Sequence, residues 1–555
     1  MKLSDQYRLL HREFDHHPAE PGMTRIAELW SCTVRNARLQ LSRMQQAGWL
    51  SWQPARGRGH RGTLRLFKEP DELDIERLGT LLARGELEKA FANLNVAQRE
   101  RLASHLPAYL PAGDDLLQLR MAIARAPDSL DPPFVVNRLE GHLVRQLFDR
   151  LCEVDPISQQ LTPGLAHHWE TDQQGRQWRF WLRPGLRFHD GQPLDAEAVR
   201  KSLLRLARSG SHLQPLFAHL EQVVVHHPHA FTCQLSSQDW LWPNRLVTAG
   251  ASIVPPRRQR GFDRLPVGSG PFRLAINSEH RLRLEAFAGH HGPRALLDRI
   301  ELWVMRHEAA ARQCFDVRLD QHAEPGSQQL ETGCFYLMCN PQRPVLREAS
   351  ARRGLIAQLA RLRDTLPAGF GLQAARQLIP QWTPHMLSGE SAPLPAGTRL
   401  RLRTAAYPAA MALARRLEAL LAEAGIALEI VTIDNPCSPF APWWPDMDLV
   451  LQGEVFHDDL DFACFEWFGA NHLLQNQLGK AGGIWMKRQL QAVQEMRLRE
   501  ARLQAYQGIG DRLQDDGLLM PLAHQLAGAR GSSDIAGLEP GHNGWMPFAT
   551  LWRKA

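Results

Sequence analysis

The 555-residue chain lacks the long apolar runs of a membrane protein. A helix needs roughly 18 consecutive apolar residues to cross a bilayer, and no stretch of this sequence approaches that length. The first residues, MKLSDQYRLLHREFDHH, carry acids and histidines where a secretory leader needs an apolar core. We therefore expect a cytoplasmic protein.

The sequence also lacks cysteine pairs of the CxxC type. Its eight cysteines are scattered along the chain, which favours free thiols in a reducing compartment over a disulfide framework. Among them, Cys334 and Cys339 lie in the apolar run CFYLMC. We expect these two thiols to be buried in a hydrophobic core.

Motifs for common catalytic chemistry are missing as well. The sequence has neither a GxxxxGK[ST] phosphate loop nor a GxSxG nucleophile motif. Its histidine-rich spots have no HxxxH or HExxH spacing with an acidic partner, and adjacent histidines in a strand point to opposite faces. We expect ordinary surface histidines, no metal and no cofactor at these spots: His16-His17, His167-His168, His226-His227-Pro228-His229 and His290-His291.

What the sequence does have is a strong asymmetry of charge. Residues 1–70 contain twelve Lys and Arg but six Asp and Glu, so they carry a net charge of +6, as large as that of the whole chain. The other 485 residues are neutral in balance. A basic segment on a neutral body is typical of a module that binds a polyanion, although a solvated basic face has the same charge.

The length is too great for one compact domain, and three regions differ in pattern. Residues 1–70 have helical periodicity followed by two short strand-like pieces. Residues 71–115 are rich in Leu, Ala, Glu and Arg and end in PAYLPAGDD, which indicates a helical connector and a linker. In residues 116–555, short β-type runs alternate with amphipathic helices, as in an α/β domain.

The N-terminal region has the pattern of a winged helix-turn-helix, an all-α core followed by a β-hairpin. Leu3–Phe14 is amphipathic, and Thr24 would cap a short helix over Arg25–Trp30. Ser31-Cys32-Thr33 forms a turn before a longer helix that ends at Gly48. In that helix Val34, Ala37, Leu41 and Met44 follow the spacing of a buried face.

The other face of the same helix is suited to DNA. Arg can pair with guanine and Asn with adenine in the major groove. Two strands, Trp49–Trp52 and Thr63–Phe67, enclose the glycine- and arginine-rich tip QPARGRGHRG, which is typical of a wing that contacts the phosphate backbone or the minor groove. The predicted DNA-binding residues are Thr33, Arg35, Asn36, Arg38, Arg43, Arg56, Arg58 and Arg61. An ordinary three-helix domain with a basic hairpin is the simpler alternative.

In the large region, two passages are specific. LTPGLAHHWETDQQGRQWRFWLRPGLRFHDGQPLDAEAVRKSLLRL resembles the signature of the family 5 extracellular solute-binding proteins, the peptide and nickel receptors of ABC importers. VGSGPFRL is similar to a glycine-rich crossing of that family. The resemblance covers residues 116–470 well and implies two α/β lobes, of the periplasmic-binding-protein type, that close on a ligand.

With its N-terminal module, the whole chain resembles the SgrR-type regulators of sugar-phosphate stress. TRIAELWSCTVRNARLQLSRMQQAGWL and GRGHRGTLRLF are similar to the DNA-binding domain of that family. The resemblance implies a cytoplasmic transcriptional activator and repressor, which activates a small-RNA gene and represses its own gene. It also implies that the solute-binding domain senses a sugar phosphate.

The residues that would contact the effector are not evident from the sequence. Asp458 and Asp459 are weak candidates, although an acidic helix start at Asp458–Asp461 is the simpler interpretation. Trp240 and Trp242 could line an apolar cleft, but buried tryptophan more often belongs to a core.

We expect a ligand-responsive transcriptional regulator and not an enzyme. Its partners would be double-stranded promoter DNA and a small-molecule effector. Two alternatives share the large region. A transport receptor needs a leader or lipid anchor in place of the DNA-binding module, and an enzyme needs a titratable pair that converges in the cleft.

Overall fold

The computed structural model describes residues 2–14, 18–54, 62–70, 72–73, 117–304, 316–320, 328–433, 443–538 and 545–554. The described residues form two compact units, of which the first includes those up to 73 and the second most of those from 117 onward. Arg56, Arg58, Arg61 and nearly all of the predicted connector lie outside the described residues.

The first unit consists of three helices and a two-stranded antiparallel sheet. The helices are α1 (Leu3–Glu13), α2 (Met23–Leu29) and α3 (Val34–Gln46), and the strands are β1 (Leu50–Gln53) and β2 (Thr63–Leu66). Trp52 lies opposite Leu64 in this sheet. The order of elements is that of a winged helix-turn-helix, as expected. One detail was wrong: α2 begins at Met23 after Gly22, so Thr24 lies inside the helix and does not cap it.

Two buried aromatic side chains connect the elements of the first unit. Tyr7 on α1 is fully buried, and its hydroxyl donates to the carbonyl of Lys68 at 2.7 Å. Trp30, at the end of α2, donates its indole N–H to the carbonyl of Gln6 at 2.9 Å. Because both polar atoms are satisfied, the rings can be buried without an unpaired donor.

The second unit contains a four-stranded antiparallel sheet in the order β6-β7-β9-β8. Alternate residues of β7 are buried, among them Trp178 and Phe180, because one face of the sheet packs on the core. Helix α5 (Ala196–Leu206) is capped by Asp195, whose side chain accepts from the Ala198 N–H. The elements are β4 (Cys152–Val154), β5 (Leu161–Pro163), β6 (Ala166–Thr171), β7 (Gln177–Leu182), β8 (Leu220–His227), β9 (Ala230–Leu235), α4 (Arg138–Leu147), α5 (Ala196–Leu206), α6 (Gln214–Phe217) and α7 (Trp242–Arg245).

A twelve-stranded mixed sheet runs through the rest of the second unit, and its longest strand joins the two halves. The first half of β20 pairs with β15 and β16, and its second half pairs with β13 and β14. The strands are β3 (Gln118–Ile123), β10 (Phe272–Asn277), β11 (Arg281–Ala286), β12 (Arg299–Val304), β13 (Val317–Asp320), β14 (Gln328–Leu330), β15 (Gly333–Cys339), β16 (Leu372–Ala374), β17 (Arg399–Ala405), β18 (Ala427–Ile433), β19 (Leu449–Val455) and β20 (Leu519–Gly531). A final two-stranded sheet pairs β21 (Ile535–Ala536) with β22 (Trp552–Arg553).

Five longer helices cover this sheet, and the parallel pair β17 and β18 is linked by one of them, as in a βαβ unit. Helix α11 bends at Gly479, whose φ of 60° is not helical. The helices are α8 (Ala349–Leu359), α9 (Pro408–Glu423), α10 (Leu460–Ala470), α11 (His472–Gln494) and α12 (Arg499–Asp515).

Six cysteines lie in the described residues, and all are free thiols. Five of them are buried, including Cys334 and Cys339 on β15, as predicted. Cys314 and Cys437 lie outside the described residues. Within the described part of the chain, no helix combines the length and apolar character needed to span a bilayer.

Candidate DNA-binding helix and effector-binding cluster

The turn before α3 has the geometry that a helix-turn-helix requires. Ser31 has a φ of 49°, a left-handed conformation that turns the chain sharply after α2. Thr33 then caps α3, because its hydroxyl accepts from the Asn36 N–H at 3.3 Å. Gly48 has a φ of 71° just after the helix, as predicted for its C-terminal end. Both ends of α3 are therefore set by local sequence.

Helix α3 has one buried and one exposed face. Ala37, Leu41 and Met44 are buried, and Val34 is half-buried. Arg35 and Asn36 lie exposed on the opposite face together with Arg43, and Arg38 is exposed as well. At about 100° per residue, Arg38 projects from the edge of the exposed face, nearer to Val34 than to Arg43.

Sequence reasoning missed a residue at the centre of this exposed face. Leu39 is 51% exposed, and at helical spacing it lies between Arg35 and Arg43. Beside it, Gln40 donates to the Asn36 Oδ1 at 3.2 Å. The same periodicity that identified the basic face places Leu39 on it, but an apolar residue is easily assigned to the core. An apolar side chain here is suited to contact a thymine methyl group.

The hairpin has the form expected of a wing. The register of β1 and β2 ends with Gln53 opposite Thr63, which leaves residues 54–62 as the connection at its tip. The indole of Trp52 packs so closely on Gly62 that a Cβ there would lie 2.5 Å from the ring. The three arginines of the tip lie outside the described residues, so their contact with DNA stays a prediction.

In the second unit, the two tryptophan candidates have different environments. Trp242 is fully buried, and its ring packs edge-on against Phe217 and His219. It is a core residue, which leaves its indole no open cleft to line. Trp240 is half-buried, and the Arg497 guanidinium lies over its ring at 5.0 Å.

The two aspartate candidates also have different environments. Asp459 is fully buried and caps α10, accepting from the Asp461 N–H at 3.2 Å and from the Asn244 amide at 3.0 Å. Burial and the neighbouring carboxylate of Asp461 raise its pKa. The helix-start interpretation thus describes Asp459. Asp458 instead lies partly exposed, with its Oδ2 3.6 Å from the Arg145 Nη1.

Asp458 and Arg145 adjoin a second group of enclosed polar side chains. Asp458 follows His457 in the chain, and Arg145 Nη2 donates to the carbonyl of Val247, the residue before Thr248, at 3.5 Å. We call the two groups together the polar cluster. It consists of Arg145, His212, Thr248, Glu454, His457, Asp458 and Glu466. Glu466 Oε2 lies 3.6 Å from His457 Nε2 and accepts from the Thr248 hydroxyl at 3.4 Å. Its Oε1 lies 3.9 Å from His212 Nε2. These distances are longer than those of strong charged hydrogen bonds.

The polar cluster also contains polar atoms without a partner. Among the described residues, neither ring nitrogen of His457 has a hydrogen-bond partner, and the same is true of Asp458 Oδ1. Buried polar atoms are normally satisfied, so an unpaired set at one place indicates a position for a ligand or water. The cluster combines one guanidinium, two imidazoles and three carboxylates, with aromatic Trp467 on the same helix as Glu466.

The surroundings shift the pKa values of the two glutamates of the cluster in opposite directions. Burial, reinforced by the nearby charge of Glu466, raises the pKa of Glu454 to about 7. Burial also opposes ionisation of Glu466, but His457 and His212 outweigh it and lower the pKa of that group. Glu454 therefore keeps its proton to a higher pH than Glu466, and a protonated and an ionised carboxyl together can donate to and accept from the hydroxyl groups of a ligand.

The histidine pairs were only partly interpreted correctly. His167, His168, His226 and His227 are exposed, as expected, whereas His229 is half-buried. His16 and His17 lie outside the described residues. His291 is an exposed residue, as expected, but His290 is half-buried, and neither of the two lies in a strand. Both rings face the buried Asp149, with Nε2 to Oδ1 distances of 3.2 Å and 3.7 Å. Their acidic partner comes from a distant part of the sequence, where local spacing cannot reveal it.

Two regions of the chain match models of known protein families. Residues 2–111 match the family model described as "Sugar transport-related sRNA regulator N-term". Residues 160–356 match "Bacterial extracellular solute-binding proteins, family 5 Middle". The chain has the domain composition of an SgrR-type transcriptional regulator.

Two curated relatives match the chain along nearly its whole length. The chain is 28% identical over 570 residues to the HTH-type transcriptional regulator SgrR of Yersinia enterocolitica, covering 99% of this chain and 98% of that protein. It is 27% identical over 571 residues to the SgrR of Photorhabdus laumondii, with the same coverage.

A solved structure confirms the fold of the large region. The dipeptide-binding protein of Pseudoalteromonas sp. SM9913, in complex with Met-Leu, matches with a TM-score of 0.68 at 18% sequence identity. The match covers 79% of this chain and all of that protein. The second unit therefore has the two-lobed α/β fold of the family 5 solute-binding proteins, as predicted.

Proposed function

We propose that this chain is a ligand-responsive transcriptional regulator that binds promoter DNA through α3 and the wing. The observation that carries the proposal is the exposed face of α3, where Arg35, Asn36 and Arg43 surround Leu39. The helix follows a tight turn and precedes a hairpin, so this face is free to enter a major groove while the wing reaches the adjacent backbone.

The residues of α3 divide into two roles. Arg35, Asn36 and Arg43 project from the centre of the face and would read base edges. Arg38, at the edge, would contact phosphate, as would Arg56, Arg58 and Arg61 of the wing tip. Thr33 positions the helix by capping it. Phosphate contacts supply affinity without sequence preference, whereas base contacts supply specificity.

The test compares Arg35→Ala with Arg38→Ala on promoter DNA and on random DNA of the same length. Arg35→Ala should weaken promoter binding by tenfold or more, consistent with about 1–3 kcal/mol for a good base contact, and should reduce the preference over random DNA. Arg38→Ala should weaken both complexes alike. It should also reduce the slope of log affinity against log salt concentration by about 1, because one phosphate contact is lost. Arg12→Ala, an exposed arginine on α1, is the matched control. Promoter preference unchanged in Arg35→Ala would contradict the assignment.

The domain boundaries separate DNA binding from effector binding. We propose residues 1–70 as the DNA-binding domain, 71–115 as the connector and 116–555 as the sensor domain. Deleting residues 1–70 should abolish promoter binding and leave effector binding intact. A regulator of chromosomal genes works in the cytoplasm, and we propose that location for this chain.

For the effector we propose a sugar phosphate, bound at the polar cluster. The guanidinium of Arg145 and the imidazoles of His212 and His457 would hold the phosphate. Protonated Glu454 and ionised Glu466 would donate to and accept from sugar hydroxyls. The phosphate would have to compete with Asp458 for Arg145, so the phosphate alone should bind weakly. The description of the matched N-terminal family, which refers to sugar transport, supports this class of ligand.

Effector binding is tested with a thermal-shift screen of the full chain against sugar phosphates, the corresponding free sugars and short peptides. Binding raises apparent stability by mass action, so a sugar phosphate should raise the unfolding temperature more than its free sugar. Arg145→Gln should remove that difference, whereas Arg208→Gln, an exposed arginine elsewhere in the unit, should not. Stabilisation by peptides alone would overturn the sugar-phosphate assignment and leave the DNA-binding proposal standing.

Regulation requires that the effector prefer one DNA-binding state. The change in promoter affinity with effector must equal the change in effector affinity with promoter. We propose that this coupling activates a small-RNA gene and represses the gene of the regulator itself. The neighbouring Glu454 and Glu466 form a titratable pair of the kind that an enzyme needs. If the chain is a sensor and not an enzyme, the same sugar phosphates should be recovered unchanged after incubation with the protein.

A further inference from the structure

The cluster of Asp149, His290 and His291 has the chemistry of a transition-metal site. Asp149 follows α4, and the two histidines lie in the turn after β11. The ligand atoms of the three side chains lie within 4.8 Å of one another. The side chains are mostly buried, with 10% of Asp149, 12% of His290 and 21% of His291 exposed.

The distances between these atoms suit a bound zinc ion. Zinc binds His nitrogen and carboxylate oxygen at about 2.0–2.2 Å, usually as a tetrahedron, so that its ligand atoms are about 3.3–3.6 Å apart. The Asp149 Oδ1 lies 3.2 Å from His290 Nε2 and 3.7 Å from His291 Nε2. An ion could therefore enter with small side-chain adjustments and without movement of the backbone.

The main chain of Asp149 is fixed by its neighbours, which limits the movement of the carboxylate. The Asp149 N–H donates to the Ser269 hydroxyl at 3.2 Å, and its carbonyl accepts from the Ile253 N–H at 3.0 Å. Ser269 lies between two glycines that cross α4 closely, since a Cβ at Gly268 would lie 1.9 Å from the Leu147 carbonyl oxygen. A rigid carboxylate of this kind provides a preformed metal ligand.

A second observation points to a missing partner. Among the described residues, Asp149 Oδ2 is buried and has no hydrogen-bond partner. The carboxylate is therefore only half satisfied, with Oδ1 facing the two imidazoles and Oδ2 unpaired. A divalent cation would neutralise the carboxylate and engage both imidazoles at once.

Metal binding also has an identifiable cost. His290 Nδ1 accepts from the Gly292 N–H at 3.3 Å, which places the ring proton on Nε2. A neutral ring that binds a metal through Nε2 carries its proton on Nδ1, so the contact with Gly292 is then lost.

We propose that Asp149, His290 and His291 form a zinc site with three protein ligands and a fourth position for water. The site would tie the end of α4, the helix that carries Arg145, to the turn after β11. It stands independently of the DNA-binding and effector proposals, because none of its residues belongs to α3 or to the polar cluster.

The test uses the full chain, freed of metal with a chelator and then titrated with Co²⁺ and with Zn²⁺. Co²⁺ should give the intense visible absorption of a tetrahedral complex at one equivalent, and Zn²⁺ should displace it. The double variant His290→Ala/His291→Ala should lose that absorption. It should also weaken Zn²⁺ binding by more than about tenfold, because removing even a residue that only hydrogen-bonds to a metal ligand causes a loss of about that size. Asp149→Asn should behave in the same way.

The matched control is His168→Ala. His168 Nε2 also lies 3.2 Å from a carboxylate oxygen, that of Glu170, but on an exposed strand with no third ligand. This variant should keep the tetrahedral spectrum. Circular dichroism and the unfolding midpoint show whether each variant folds, and His291→Ala alone, at the most exposed ligand, provides a milder change. Equal Co²⁺ spectra in the wild type and the double variant would overturn the site, as would a wild type that binds neither ion at micromolar concentration.

Discussion

At the scale of the residue, Glu454 is the group whose charge most depends on its surroundings. Its ordinary pKa is 4.5, and burial beside Glu466 raises it to about 7. The folded protein thus holds a proton on Glu454 that the unfolded chain releases. The stabilising effect is complete below pH 4.5 and is lost as the pH rises through 7.

Glu454→Gln removes this titration. The variant should be more stable than the wild type at pH 8 by roughly 1–3 kcal/mol and nearly equal to it at pH 5, since a raised pKa costs about 1.4 kcal/mol per unit. Urea unfolding at both pH values measures the difference. Glu466→Gln is the control of opposite sign, because its pKa is lowered. The same difference at both pH values would contradict this account of Glu454.

Leu39 is a second residue whose exposed position has a consequence. If its side chain contacts a thymine methyl group, replacing that thymine by deoxyuridine removes one buried methyl, which is worth about 0.8 kcal/mol or fourfold in affinity. The wild type should show this loss at one promoter position, and Leu39→Ala should not. Ser42→Ala, on the same exposed face, should keep the wild-type sensitivity. Methyl sensitivity retained by Leu39→Ala would exclude the contact.

At the scale of the element, the crossing between Val267 and Phe272 depends on glycine because of space. Neither Gly268 nor Gly270 has a left-handed φ, yet a Cβ on either would collide with carbonyl oxygens at the end of α4. The Gly270 N–H donates to the Leu147 carbonyl at 3.0 Å, so the two segments are also hydrogen-bonded. This contact fixes the end of α4 and, with it, Asp149.

Gly268→Ala should therefore destabilise the second unit by at least about 2 kcal/mol, as overpacking against backbone does. Gly508 offers a matched control, since it lies inside α12 and a Cβ added there would have nothing within 4 Å. Gly508→Ala should stabilise the protein by about 0.5–1 kcal/mol through helix propensity. Urea unfolding of both variants gives the comparison, and equal midpoints would refute the steric argument.

At the scale of the whole molecule, the end of the chain packs on α4 in the second unit. The ring of His142 stacks on Trp545 at 4.5 Å and meets Phe548 edge-on at 4.6 Å. The Phe548 N–H donates to the Gln146 side chain at 3.1 Å. Burial lowers the pKa of His142 to about 3, with Arg145 and Arg138 adding to the effect.

This contact should make the second unit sensitive to acid. Above pH 6.5 His142 is neutral in both states, and its contribution to stability is complete. As the pH falls below 6.5, His142 takes up a proton in the unfolded chain but stays neutral in the folded protein. The free energy of unfolding therefore falls by about 1.4 kcal/mol per pH unit. His142→Phe should reduce the stability lost between pH 6.5 and 5 by roughly 2 kcal/mol. Unfolding midpoints at the two pH values test this, and parallel curves for wild type and variant would show that His142 does not titrate in this way.

The local elements could be predicted from the sequence because their causes are local. The turn at Ser31, the cap at Thr33, the left-handed Gly48 and the cap at Asp195 each depend on residues within one helical turn. The exposed face of α3 follows from a period of 3.6 residues. The cap of α2 was wrong because several neighbouring residues can begin a short helix.

The sites of the second unit depended on tertiary structure. Arg145 meets Asp458, and Asp149 meets His290, only because distant segments pack together. Burial, which sets the pKa of Glu454 and separates Asp459 from Asp458, is likewise a property of the packed chain. The sequence by itself determined the exposed basic face of α3 and the kinds of domain, since periodicity, capping and charge act along the chain. Only the fold decided which charged side chains share an enclosed space, because that depends on contacts across hundreds of residues.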